Sequence, residues 1–216
     1  MKSAYGVSIP EGLGEICNPD RCALIVYDMQ AGIVSQIAEG PQVVAACARL
    51  LAAARKANMR VFYTRHMFLP NRAAGVGQLR RAMTWQRKSD PAETKPLMLQ
   101  ESDSWQIVPE LAPIAGDVVL DKITMSAFES TFLNLALRDT QLEAFIIAGI
   151  ALEVGIEPTV RHGADLNFIP VIASDACGSR SQELKDRSLA TLKEMGEVIL
   201  SSVKEICSTL PNDRIP

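Results

Sequence analysis

The sequence predicts an α/β fold in three layers: a six-stranded, mostly parallel sheet flanked by helices on both faces. Two observations carry this. Short apolar runs that close on Gly or an acid recur along the chain, as in RCALIVYD at Arg21–Asp28 and AFIIAG at Ala144–Gly149, and such runs mark strands buried on both faces. Between them lie segments whose apolar residues recur every three or four positions, the period of a helix packed on a sheet. That alternation calls for right-handed crossovers. With 216 residues, 48% hydrophobic and 22% charged, the chain can bury one continuous core and reads as a single domain over 1–216.

Residues 1–20, with Pro10, Pro19 and several Gly, read as an irregular arm of the kind that packs on a neighbouring subunit. Arg21–Asp28 is the first strand, with Asp28 at its carboxyl end. Gln42–Ala57 places Val43, Val44, Cys47, Leu50, Leu51 and Ala54 on one helical stripe, and Met59–Thr64 is the second strand. From 65 to 113 the periodicity is lost, among Pro70, Pro91, Pro96, Pro109 and both Trp residues; a stretch this long reads as a loop-rich cover over the site. Gly116–Lys122 is a third strand that hands Lys122 to the same edge as Asp28. Ser126–Leu137 reads as a helix capped by Ser126. Leu142–Gly149 is the fourth strand, and Gly155–Leu166 a helix with Pro158 in its first turn, where proline is tolerated. Phe168–Asp175, Ser181–Met195, Glu197–Ser201 and Val203–Leu210 then complete the alternation as strand, helix, strand and helix.

Composition narrows the function. A net charge of −3 provides no basic field for nucleic acid. No apolar run approaches the ~20 residues of a membrane-spanning helix, and the first residues carry no apolar signal core, so a cytoplasmic location is expected. The five cysteines, Cys17, Cys22, Cys47, Cys177 and Cys207, are scattered and odd in number, as reduced thiols are. His66 and His162 have no Asp-x-His companion, so no metal and no cofactor are expected.

The turn that follows the fourth strand, Ala151–Gly155, is the natural ligand position of such a sheet, with Gly155 opening the next helix and its amide facing the ligand. A covalent enzyme would carry Cys or Ser there; the glycine leaves the turn bare. Asp28 and Lys122 are the candidate catalytic pair, a buried acid beside a cation, against the alternative of a structural ion pair. His66 heads the cover and is a candidate substrate contact or an ordinary polar loop residue. His162 reads as packed or on the surface, and Cys177 as structural. Glu153 and Glu157 flank Gly155 and either orient a water or, for Glu157, complement a helix start. Trp85 and Trp105 read as pocket wall or subunit contact, and Arg65, Arg72, Arg80, Arg81 and Arg87 point to an anionic ligand.

Three segments in order resemble the isochorismatase-like hydrolase superfamily, also called cysteine hydrolases: VYDMQ at Val26–Gln30, DKITMSAFESTFL at Asp121–Leu133, and AGIALEVGIEPTVRHGADLNFIPVIASDAC at Ala148–Cys177. The resemblance implies a six-stranded parallel sheet, homo-oligomers, and an Asp–Lys–Cys triad that falls on Asp28, Lys122 and Gly155. Two positions match, and glycine replaces the nucleophile. One branch of the superfamily carries glycine there and cleaves an enol ether by acid–base chemistry, although its other marks fall here on Ala151 and His66. The expectation is a cofactor-free hydrolase of a small, carboxylated molecule, with Asp28 as general acid/base, Lys122 as its electrostatic partner, and Ala151, Leu152, Gly155 and His66 around the substrate. The alternatives are a ligand-binding or inactive relative, and a Cys-to-Gly variant of an amidase.

Overall fold

A computed structural model describes residues 1–211. Six parallel strands form the central sheet: β3 (Cys22–Tyr27), β4 (Arg60–His66), β5 (Val118–Lys122), β6 (Ala144–Ile150), β7 (Ile169–Gly178) and β8 (Ile199–Ser201), preceded in the chain by the short strands β1 (Lys2–Ala4) and β2 (Val7–Ile9). Their spatial order is β5-β4-β3-β6-β7-β8. The order reverses between β3 and β6, so the carboxyl ends of these two neighbours open a crevice.

Alternation along the strands builds two cores. Cys22, Leu24 and Val26 of β3 and Ile146, Ala148 and Ile150 of β6 face helices α1 (Leu13–Ile16), α3 (Gly40–Lys56) and α8 (Val203–Thr209). Ala23, Ile25 and Tyr27, with Phe145 and Ile147, face α5 (Leu133–Asp139), α6 (Glu157–Asp165) and α7 (Gln182–Met195). The remaining helices, α2 (Ala31–Val34) and α4 (Val76–Gln86), lie after β3 and in the cover. A side chain on β3 therefore meets α3 or α6 according to the parity of its number.

Several expected elements differ. The N-terminal arm is not irregular throughout: β1 and β2 pair antiparallel around Tyr5 and Gly6, whose φ angles of 52° and 80° suit a two-residue hairpin turn. The cover from 65 to 113 contains α4, eleven residues long, ended by Arg87 in the left-handed region. Its only buried positions are Gln78 and Ala82, so it offers no apolar stripe to read. The helix expected from Ser126 begins at Leu133, because hydroxyls before it bond the backbone instead: Thr131 Oγ1 donates to the Ala127 carbonyl at 2.6 Å, and Ser126 Oγ accepts from Phe128 N at 3.2 Å. β7 runs past Asp175 to Gly178 after a register shift against β6, which puts Cys177 inside the strand.

Candidate active site

Asp28 follows β3 directly, in the left-handed region with φ 48°, a conformation that aspartate tolerates better than most residues. Lys122 ends β5, two strands away, and its side chain crosses the end of β4 to reach Asp28. Lys122 Nζ donates to Asp28 Oδ2 at 2.7 Å, to Tyr27 Oη at 2.9 Å and to the Thr124 carbonyl at 3.2 Å. All three ammonium protons are thereby used. From the intervening strand, Thr64 Oγ1 donates to Asp28 Oδ1 at 2.5 Å. The lysine side chain is wholly buried; burial lowers its affinity for a proton below the usual lysine value, and the neighbouring carboxylate opposes that.

Above this pair is a cavity of about 80 Å³ whose wall includes Asp28, Ile33, Ile37, Met98, Met125, Ile150 and Val154, with Arg180 at its rim. The Arg180 guanidinium is exposed and makes no ion pair among the described residues. His66, from the end of β4, also lines the cavity. It is 3% exposed, and neither ring nitrogen makes a hydrogen bond of normal geometry among the described residues. Burial first, then the Lys122 charge, push its pKa down to about 4, with Asp28 and the Thr124 carbonyl acting the other way. The ring is neutral at pH 7, edge-on to Phe68 and Trp85, and carries one donor and one acceptor.

The turn after β6 departs from expectation in four ways. It is a wide, π-type turn over Leu152–Ile156, and α6 starts only at Glu157. Gly155 N donates to the Ala151 carbonyl at 3.0 Å, so its amide is spent inside the turn and does not face a ligand. The space beside Gly155 is also not bare: a Cβ built there would lie 2.1 Å from Tyr27 Oη and 2.5 Å from Cε1 and Cζ. Ala151 and Gly155 line the cavity, whereas Leu152 is fully buried in the α6-side core and contributes no wall. Leu152 turns inward because the residues on that side of the turn continue the apolar face of α6, with Ile156 and Val160.

The other singled-out residues are engaged elsewhere. Glu153 accepts from Ser179 Oγ and Arg180 N, and Glu157 from Arg161 and Ser188, so neither is held to orient a water. His162 Nδ1 lies 3.0 Å from Ser126 Oγ. Cys177 is fully buried, and burial raises its thiol to about 12. Arg65 is not free for an anion: it grips Asp121 with two hydrogen bonds of 2.7 and 3.0 Å and stacks over Trp105. Trp85 lines the cavity and Trp105 is buried beneath Arg65.

Sequence reasoning missed Gln30. Its side chain is wholly buried, accepts from His66 N at 2.7 Å and donates to the carbonyls of His66 and Trp105, each at 2.9 Å. Together with a bridge to Ile107 and the Val108 N to Met29 carbonyl bond of 3.0 Å, it fastens the 105–108 strip to the end of β3. In contrast, α4 has one hydrogen bond to residues outside the cover among those described, Arg81 Nη2 to the Ile123 carbonyl at 3.3 Å. Among the described residues no three His, Cys, Asp or Glu side chains converge as metal ligands, and no helix is long and apolar enough to cross a membrane.

Residues 22–203 match the sequence pattern of the Isochorismatase domain. The chain belongs to the isochorismatase family. Relatives of this isochorismatase-family hydrolase include the ureidoacrylate amidohydrolase RutB of Pseudomonas syringae pv. syringae (strain B728a), 28% identical over 207 residues that span 88% of this chain and 84% of the relative. The isochorismatase family protein YecD of Escherichia coli O157:H7 is 31% identical over 176 residues, 80% of this chain and 87% of that one. A crystal structure of a cysteine hydrolase from Pseudomonas syringae pv. phaseolicola 1448A shares the fold, with a TM-score of 0.77 at 23% identity over 89% of this chain and 93% of that one. The parallel six-stranded sheet is the architecture of the family.

Proposed function

We propose that this isochorismatase-family hydrolase cleaves a small, carboxylated substrate without a covalent intermediate, using Asp28 to move the proton. The observation that carries the reading is the Asp28–Lys122 contact of 2.7 Å at the wall of the cavity, beside a turn whose glycine stands where the family resemblance implies a thiol. With no nucleophile at that position, water must be the group that attacks, and a positioned acid/base is then the remaining source of catalysis. Burial makes Lys122 a readier proton donor across its hydrogen bond to Asp28 Oδ2. For an enol ether, the protonated Asp28 delivers that proton to the vinyl carbon, and water adds to the oxocarbenium carbon. The proton lost by the water returns to the carboxylate, and the hemiketal collapses to a ketone and an alcohol.

Neutral His66 supplies a donor and an acceptor to the bound molecule, and Arg180, at the rim and without an ion pair among the described residues, suits a carboxylate. Self-association, with the exposed β1–β2 hairpin as a contact, and residence in the cytoplasm are part of the same reading; sedimentation velocity checks the first. A second reading, hydrolysis of an amide by Asp28-activated water, is favoured by the name of the RutB relative, an amidohydrolase. A panel of small enol ethers and amides, with and without a carboxylate, separates the two. The first reading expects enol-ether turnover that falls at least ~10²-fold in Asp28→Asn, with Arg180→Gln raising KM only for carboxylated members. Amide turnover alone in the unaltered protein would replace it with the second, and no turnover across the panel would overturn both.

A further inference from the structure

Tyr27 and Gly155 are adjusted to one another. Tyr27 is the last β3 residue on the α6 face and is 1% exposed. Its phenol is held at both sides: the oxygen accepts from Lys122 Nζ at 2.9 Å, and the hydroxyl donates to the Met125 carbonyl. Burial, and then the Asp28 charge, push its pKa well above the usual phenol value, so the hydroxyl keeps its proton. The ring fills the direction a side chain at position 155 would take, with three of its atoms within 2.5 Å of a built Cβ, closer than carbon–carbon or carbon–oxygen contacts allow. A free tyrosine tip could step aside. This one would have to break both hydrogen bonds and leave Lys122 with an unmatched proton.

We infer that Tyr27 is a positioning and specificity-determining residue, whose ring occupies the nucleophile's place beside Gly155 while its oxygen holds Lys122 against Asp28. The inference rests on the non-covalent reading above and adds something that reading does not contain: position 155 accepts a thiol only when position 27 is cut back. It also separates two roles within one side chain. The ring closes the turn to covalent chemistry, and the hydroxyl takes one of the three ammonium protons. A thiol admitted at 155 would share the neighbourhood of the Lys122 ammonium, which favours a thiolate.

The test uses the full chain in five forms: unaltered, Tyr27→Val, Gly155→Cys, Tyr27→Val with Gly155→Cys, and Tyr27→Phe with Gly155→Cys. The readouts are the apparent Tm and the rate of alkylation of the introduced thiol by iodoacetamide, resolved from the five native cysteines by peptide mass spectrometry. Gly155→Cys is expected to melt below the unaltered protein, and the Val/Cys pair to melt above Gly155→Cys, because the overpacking is relieved. In that pair the introduced thiol reacts at least about tenfold faster at neutral pH than in Gly155→Cys, and with a lower pH midpoint than an ordinary thiol. The Phe/Cys pair, which keeps the ring, stays slow. If Gly155→Cys does not fold, the melting of Gly155→Ala with and without Tyr27→Val decides: recovery supports the inference and no recovery overturns it. Gly155→Cys melting with the unaltered protein, or labelling as fast as the Val/Cys pair, also overturns it. Substrate turnover enters none of these readouts, so a failure here is distinct from a failure of the proposed reaction.

Discussion

His66 ties acid stability to the cavity. Its imidazole is neutral in the fold because burial and the Lys122 charge lower its pKa from 6.5 to about 4. Between those values the unfolded chain binds the proton and the folded chain does not, so stability falls as pH drops through this window. At about pH 4 the loss is about 3 kcal/mol relative to neutral pH, worked from the two pKa values. For 216 residues, with an unfolding entropy of about 2.1 cal/mol/K per residue, that is a fall of about 7 °C in Tm from this group alone. His66→Phe keeps an aromatic ring against Phe68 and Trp85 and sacrifices no side-chain hydrogen bond of normal geometry among the described residues, so the variant lacks this component. Melts followed by circular dichroism at about pH 7 and about pH 4 should show the unaltered protein losing about 7 °C more than the variant. NMR titration gives an independent reading, since the chain has two histidines and His162→Gln assigns the pair. Equal acid sensitivity in the two proteins, or a His66 signal titrating near 6.5, would refute the reasoning.

Three further outcomes follow from the same geometry. Lys122→Met leaves the Asp28 carboxylate buried without its cation and should cost about 3–5 kcal/mol, while adding Asp28→Asn to it should recover part of that loss; denaturant melts of the two single variants and the pair measure the coupling. Gln30→Leu strands the His66 amide and the carbonyls of His66 and Trp105, at roughly 1–3 kcal/mol for each group left unpaired, and hydrogen exchange should rise in the 105–108 strip before it rises in β3. Leu152→Ala should lower stability by about 2–5 kcal/mol, as a core truncation does, yet leave ligand affinity unchanged by calorimetry, since its side chain is not part of the cavity wall.

The sheet was legible because its strands are buried on both faces and so announce themselves as apolar runs. Asp28 and Lys122 stood out for the same reason, each a charge at the end of such a run. Tyr27 did not stand out, since within CALIVY it passes for one more apolar residue. The signal was available in the pleat: Ala23, Ile25 and Tyr27 share the α6 face, and only Tyr27 carries a polar tip toward the end where Gly155 lies. α4 was hidden by its composition, with arginines and a threonine on a helix that presents only Gln78 and Ala82 inward. The fate of the Gly155 amide depends on a π-type turn, for which residue spacing carries no mark. Gln30 reads in the sequence as the last letter of a family segment, and nothing beside it marks an amide that satisfies three backbone groups at once.

Gln30 and its neighbours hold the 105–108 strip to the end of β3, while α4 has a single hydrogen bond to the body of the protein among the described residues, so the two halves of the cover are fastened unequally. Any loosening of the cover would therefore start on the Trp85 side, where fewer bonds have to break. Asp28, tied to Thr64 and Lys122 of the sheet, would stay with the fixed wall.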